Sequence, residues 1–369
     1  MALRQMKYLS CVAAMLVGGL GAAAPSEPQG RHVVHPGESI QRAVNRARPG
    51  DTVLILPGRY RESVLITKPR LRLVGAGHRT VIGPSGKRAG NACGRSGNGI
   101  CVLGGRGRRL RDVTLQGLTV QGFKRSGIWA SGTDRLTVHG VTSRNNGVWG
   151  IGQERSTRAV IRDNTVTGNR DSGIYLSNIA KGEGGATDNR GAVVVGNRLF
   201  RNRIGITLQR VRNLTVAHND IGGNCGGIFI VGDESRPRAG ALTVRDNSII
   251  RNNRRCAANG RLPFIQGVGV LLTGTERALV RHNLIRENRG TSPFSGGVVL
   301  FPSFVKSLNE RNVISDNIVL RNKPLDLADR DRAGRNNRFL RNVCRTSQPA
   351  GLCPRPHRVH RVHPSSTGE

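Results

Sequence analysis

Hydrophobic and polar positions along the chain alternate in a phrase that keeps returning. IRDNTVTGN (161–169), VVGNRLFRN (194–202), VAHNDIGGN (216–224), VRDNSIIRN (244–252), VRHNLIREN (280–288) and ISDNIVLRN (314–322) share one pattern. Each has an Asn, an aliphatic residue two positions on, and a second Asn five positions after the first. A degenerate copy, GRNNRFLRN, reads at 334–342, and looser versions at 115–123 and 136–146. The first Asn of each phrase falls at 164, 197, 219, 247, 283, 317 and 337, with gaps of 33, 22, 28, 36, 34 and 20 residues. The shortest gaps define a unit of about 20 residues, and the longer ones are units carrying loops.

Between these phrases lies a second: GIWAS at 127, GIGQE at 150, GIYLS at 173, GITLQ at 205, GIFIV at 227, GVLLT at 269 and GVVLF at 297. Alternation with a period of two puts Ile174 with Leu176, Ile206 with Leu208, and Ile228 with Ile230 on one face. In the first phrase Ile161 and Val166, Val194 and Leu199, Val216 and Ile221 point the same way. Each unit is three very short strands, and no helical period runs through the array. Such strands cannot bury a face alone, so they stack as parallel coils around one aliphatic core. The expected fold is all-β, a single-stranded parallel β-helix, with about nine coils making a rod of roughly 45 Å. Asn at equivalent turns is expected to take left-handed backbone and to stack its amide on the coils above and below.

The open end of a solenoid needs a cover. Ser39 is placed to cap a short helix whose Ile40, Ala43, Val44 and Ala47 share a face. GDTVLILPGRY (50–60) then reads as strand, turn, strand.

The segment SIQRAVNRARPGDTVLILPGRYRESVLITKPRLRLVGAG (39–77) resembles the first coil of the pectate lyase-like right-handed parallel β-helix superfamily. The GIxL…DNxIxxN repeats are similar to its periplasmic copper-site-assembly and carbohydrate-binding branch. GNCGGIFIVGDESRPRAG (223–240) and NRGTSPFSGGVVLF (288–301) resemble secreted actinobacterial β-helix proteins. The likeness spans about 31–353 and implies the fold, since this fold hosts lyases, hydrolases, esterases, epimerases and non-catalytic binders. The Trp-x-Asp-His and Arg-x-Pro-x-x-Arg segments of pectate lyases are missing, as are the polygalacturonase acid sets and the Gln-Asp signature of pectin methylesterases. No catalytic residue carries over.

Composition narrows where the chain works. Arg4 and Lys7 precede an apolar run, Leu9 to Leu20, and small residues follow to Ala24, the pattern of a secretory signal peptide over 1–24. No other stretch is long and apolar enough to span a membrane. Six cysteines remain in the exported chain, and an even count in an oxidising compartment reads as disulfides. Proximity pairs Cys93 with Cys101, Cys225 with Cys256 and Cys344 with Cys353, the rival being a metal site. The β-helix is expected over 31–343, with repeats clearest at 112–343, and a disulfide loop with a basic, disordered tail over 344–369.

Against 23 acidic residues stand 58 Lys and Arg, a formal charge of +35. Such a field draws polyanions. Base composition of the gene explains an Arg excess equally well. Export disfavours nucleic acid as the partner and favours an anionic polysaccharide or cell-wall polymer, bound by a monomer.

The outward residues of the GI strands are Trp129, Gly152, Tyr175, Thr207, Phe229, Leu271 and Val299. This stripe is either a sugar platform or the underside of a folded-over loop. The loops that follow bring Glu154 and Arg155, Asp188, Arg210, and Asp233, Glu234 and Arg236 to one side. Asp233, Glu234, Glu154 and Asp188 are the candidate acids, and Trp129, Tyr175, Phe229, Arg155, Arg210 and Arg236 the candidate substrate contacts. Calcium beside an Arg base would support β-elimination of a uronate, and no cofactor is expected otherwise. Paired carboxylates would support glycoside hydrolysis. Solvated ion-paired loops are the plain alternative. A second stripe, Arg144, Gly168, Arg201, Gly223, Arg251, Glu287, Arg321 and Arg341, precedes the second Asn and reads as an anion track. Two functions follow: a secreted protein that binds and cleaves an acidic polysaccharide, or a non-catalytic envelope or cell-wall polyanion-binding scaffold.

Overall fold

The computed structural model describes residues 30–86, 90–105, 107–178, 184–260 and 262–353. The segments read as signal peptide (1–24) and basic tail (from 354) lie outside the described residues. Three long sheets of twelve, ten and eleven strands run side by side, and the strands within each pair in parallel. One coil shows the plan. Val160–Arg162 lies in the twelve-stranded sheet, Thr165–Thr167 in the ten-stranded sheet and Ser172–Ser177 in the eleven-stranded sheet.

The register stacks like residues on like. Ile161, Val194, Val216, Val244, Val280 and Ile314 form one row. Val166, Leu199, Ile221, Ile249, Ile285 and Val319 form the next. Ile174, Ile206, Ile228, Val270 and Val298 form the third. All are fully buried in one continuous core.

The N-terminal cover is a helix, Ile40–Arg46, that buries Ile40, Ala43 and Val44. The Ser39 side chain accepts the Arg42 N–H, and the Glu62 carboxylate accepts those of Ile40 and Gln41 at 2.7 and 3.0 Å. Lys68 Nζ donates to the carbonyls of Val44 and Ala47 at the other end. Charge thus opposes the helix dipole at both termini. All three disulfides form as proximity suggested, Cys93–Cys101, Cys225–Cys256 and Cys344–Cys353.

The Asn residues build two buried ladders. Asn164, Asn197, Asn219, Asn247, Asn283, Asn317 and Asn342 make one. Asn146, Asn169, Asn202, Asn224, Asn252, Asn288 and Asn322 make the other. In each step Oδ1 of one Asn accepts both the backbone N–H and the amide Nδ2–H of the Asn one coil earlier. Where the second ladder ends, Asp326 Oδ1 takes both donors of Asn322.

Three expectations change here. The left-handed residue is the one before each Asn, such as Asp163, His218, Asp246 and Asp316, and not the Asn itself. The copy at 334–342 is out of register: Arg338–Leu340 pairs with Val313–Ser315, so Asn342, and not Asn337, continues the first ladder. Asn337 instead stacks on Asn312 at another corner. The proposed anion stripe shrinks accordingly. Arg144 lies within a strand opposite Thr167, and the corner residue is Asn145. Arg341 belongs to the Asp316 row and forks onto it at 2.7 and 2.9 Å. Of the remaining stripe, Glu287 sits between Arg251 at 2.6 Å and Arg321 at 3.9 Å. Its acid lies between its bases, as a self-compensated row requires.

Candidate functional site

The outer face of the eleven-stranded sheet carries the predicted stripe, in register: Trp129, Gly152, Tyr175, Thr207, Phe229, Leu271 and Val299 occupy consecutive coils. Its two halves differ. From Phe229 onward the loops following Asn252 and Asn288 fold over it, tied down by Cys225–Cys256. Phe294 packs edge-on against Phe229 and Phe301, with centroids 6.1 and 4.8 Å away. Phe229 and Leu271 are each only 2% exposed. Phe229 therefore faces protein, and the expectation that it contacts substrate is replaced by a role in a second apolar core.

In the first half the rings stack on one another. Trp149 comes from the turn before its strand and fills the space that Gly152 leaves open; a Cβ at Gly152 would lie 2.8 Å from Trp129 and 3.0 Å from Trp149. Trp149 stacks on Tyr175 at 4.2 Å and 8°, and on Trp129 at 5.2 Å and 22°. Both faces of Trp149 are thus occupied, and it and Tyr175 are buried. Trp129, at the end of the stack, remains half-buried. Beside the stack runs a polar row in register, Ser131, Glu154, Ser177 and Gln209. Tyr175 Oη donates to Gln209 Oε1 at 2.6 Å.

Two residues that the sequence pattern did not single out complete this face. Burial pushes the Asp171 carboxyl above the usual carboxylate range, partly countered by the Arg203 charge. The Trp149 indole N–H lies against that carboxyl without closing a well-aligned hydrogen bond. Arg203 is 7% exposed, donates to Ala257 O at 2.5 Å and, among the described residues, keeps its other terminal nitrogen without a partner. Burial also pushes the Tyr175 hydroxyl up, with Asp171 and Glu154 adding to the effect. Only a structure places Trp149 and Asp171 here, since both lie outside the repeated phrases.

With that arrangement in view, comparison with known proteins becomes informative. A family model described as right-handed beta helix region matches residues 89–249. The chain is a right-handed parallel β-helix. Solved β-helices similar to it include the A-module of Azotobacter vinelandii mannuronan C-5 epimerase AlgE4, at 15% identity and TM-score 0.56, covering 81% of this chain and 88% of that one. An alginate lyase from Paenibacillus sp. str. FPU-7 matches at 15% and 0.55, over 84% and 97%. DFA-IIIase from Arthrobacter chlorophenolicus A6 matches at 13% and 0.55, over 87% and 96%. These identities speak for the fold alone. A search of the curated proteins finds no match.

The nominated side chains of the β-helix do not converge. Asp233 pairs with Arg210 at 2.9 Å and accepts the Ser235 N–H. Glu234 and Arg236 are exposed in the same loop. Asp188 is exposed and holds Asn213 Nδ2 and the Arg190 N–H. Glu154 and Arg155 border the ring stack, with Arg155 reaching Ser131 Oγ at 3.3 Å. Among the described residues, no group of three or more His, Cys, Asp or Glu is arranged to hold a metal ion, and no helix is long and apolar enough to cross a membrane.

Proposed function

We propose that the β-helix binds an acidic polysaccharide at the Trp129 end of the ring stack on its eleven-stranded sheet. The observation that carries this reading is the end of the ring stack. Trp129 is held rigid from one side by Trp149 and stays half-open beside a row of hydroxyl, amide and carboxylate groups. A fixed aromatic next to convergent polar groups is the usual means of holding a sugar ring. Arg155 at the same edge supplies a charge for a uronate carboxylate. The similarity in fold to a mannuronan C-5 epimerase and an alginate lyase supports the polymer class. Three disulfides suit an oxidising compartment, where secretion would place the protein beside such polymers. The scattered positions of the candidate carboxylates favour binding over glycoside hydrolysis.

A catalytic reading has one observation behind it: Asp171 and Tyr175 adjoin on this face and burial favours the protonated form of each. Uronate elimination creates an unsaturated, absorbing product. A rise in absorbance on polygalacturonate or alginate that is lost in Tyr175→Phe supports elimination, and a flat trace with intact binding assigns the face to binding alone. The binding reading itself is tested by affinity electrophoresis in gels containing polygalacturonate, alginate or a neutral glucan. Retardation only in the acidic gels, weakened at least tenfold in Trp129→Ala, is expected; equal migration in all three gels overturns it.

A further inference from the structure

The corner between the eleven- and twelve-stranded sheets holds a charged feature that the aromatic face does not use. Over five consecutive coils the corner residue is Arg70, Asp112, Arg135, Arg158 and Arg190, each left-handed, with φ of 58, 59, 57, 51 and 49°. Each of the first four donates its backbone N–H across to the next coil, to Arg111, Asp134, Thr157 and Asn189 carbonyls at 2.8–3.0 Å. The side chains therefore form one row with a step of about 4.8 Å. Arg108, Arg109 and Arg111 from the neighbouring loop join the row around a cleft of about 1060 Å³.

Among the described residues, seven arginines thus meet only two aspartates in the cleft lining, and both aspartates are already engaged. Arg135 forks onto Asp112 at 2.5 and 2.8 Å, and Arg158 forks onto Asp134 at 2.8 and 2.5 Å. The side chains of Arg70, Arg108 and Arg190 are exposed and have no acidic partner among the described residues. Arg111, two-thirds exposed, has among the described residues only a distant approach of 3.9 Å to Asp134. Stacked like charges at this spacing repel unless anions lie between them. The protein shows which anion fits, because its own carboxylates occupy two adjacent steps in the bidentate geometry that guanidinium favours.

We propose that this corner is a second binding site, distinct from the aromatic face, for an extended acidic polysaccharide lying along the solenoid axis. Its carboxylates continue the row that Asp112 and Asp134 begin, taken by Arg70, Arg108, Arg111 and Arg190. The polymer class rests on the function proposed above, while the location and the one-carboxylate-per-coil register are independent of it. A short cleft 350 Å³ in volume, lined by Arg108, Arg109, Ser131 and Arg155, leads from the corner toward the aromatic face.

The test uses the full chain and sodium polygalacturonate, with affinity measured by calorimetry at several salt concentrations. Arg70→Ser/Arg108→Ser/Arg190→Ser, whose side chains hold no partner among the described residues, is expected to lower affinity at least tenfold and to flatten the dependence of log affinity on log salt. Arg198→Ser/Arg332→Ser/Arg338→Ser removes the same charge from exposed positions elsewhere and is expected to stay within twofold of the parent. Equal losses in the two triple variants overturn the site, since net charge alone would then explain binding. Equally tight binding of sodium polyphosphate overturns carboxylate recognition. Tryptophan emission separates the two readings: salt-sensitive binding lost in the cleft variant but silent in emission retires the aromatic face and keeps the corner. A cleft variant that binds like the parent retires the corner and leaves the face untouched.

Discussion

Replacing Asn219 by Ala removes a rung from the middle of a buried ladder. Asn219 Oδ1 accepts the backbone N–H and the Nδ2–H of Asn197, both at 2.9 Å. Its own Nδ2 donates to Val194 O at 3.0 Å and Asn247 Oδ1 at 2.9 Å. Alanine leaves the Asn197 N–H buried without an acceptor, at about 1–3 kcal/mol, and deletes the Asn197 Nδ2–H bond and those of the two Asn219 amide hydrogens, shared among Val194 O, Ala217 O and Asn247 Oδ1, about 1 kcal/mol per hydrogen. The expected loss is about 4–6 kcal/mol. Asn219→Asp sharpens the test. It keeps the acceptor but sets a carboxylate against the carbonyl oxygens of Val194 and Ala217, so it destabilises although it lowers the net charge of a chain at +35. Guanidinium unfolding followed by circular dichroism, with the exposed Asp220→Ala as control, measures both. A loss below 1 kcal/mol for Asn219→Ala, or a gain for Asn219→Asp, would refute the ladder as a source of stability.

Acid should act through Asp134, which the Arg158 and Thr157 hydrogen bonds hold at about 2 against an unfolded value near 3.8. Its stabilisation, about 2 kcal/mol, is complete above pH 4 and lost as pH falls through 2; Asp134→Asn should flatten the acid-unfolding curve across that window. Asp171 has the opposite sign, its folded value being raised. Its ionisation costs stability as pH rises, so Asp171→Asn should hold or raise the melting temperature at pH 8. Phe229→Ala opens the second apolar core at about 3–5 kcal/mol and should expose the loop after Asn252 to limited proteolysis, while the first half of the rod resists. Gly152→Val drives a side chain into Trp129 and Trp149 and should abolish the near-ultraviolet signal of the stack with far-ultraviolet dichroism preserved.

The fold was legible because its periodicity is physical. A buried residue must recur at every coil, and Ile161 through Ile314 recur at matching positions however long the intervening loops are. The Asn ladder was legible for the same reason, apart from its last rung: NxxxxN also spans the corner Asn312 to Asn317, so the copy at 334–342 reads equally well in two registers, and stacking on Asn312 and Asn317 selects one. The site was less legible. Alternation correctly set Phe229 outward, yet which outward rings a loop covers depends on contacts between segments far apart in sequence, such as Phe229 with Phe294. Gly152 looked like a gap in the stripe, and Trp149 fills it from three residues upstream. The arginine corner was hidden because its residues stand at intervals of 42, 23, 23 and 32, and only the coil register brings them into one row.

Both tryptophans of the chain, Trp129 and Trp149, lie in the one stack, so intrinsic emission reports on the proposed face and nothing else. Titration with polygalacturonate or alginate at low salt should change the emission in a saturable way, with Trp129→Phe removing most of the change and a neutral glucan causing none. An unchanged spectrum at saturating acidic polymer would contradict binding at this face.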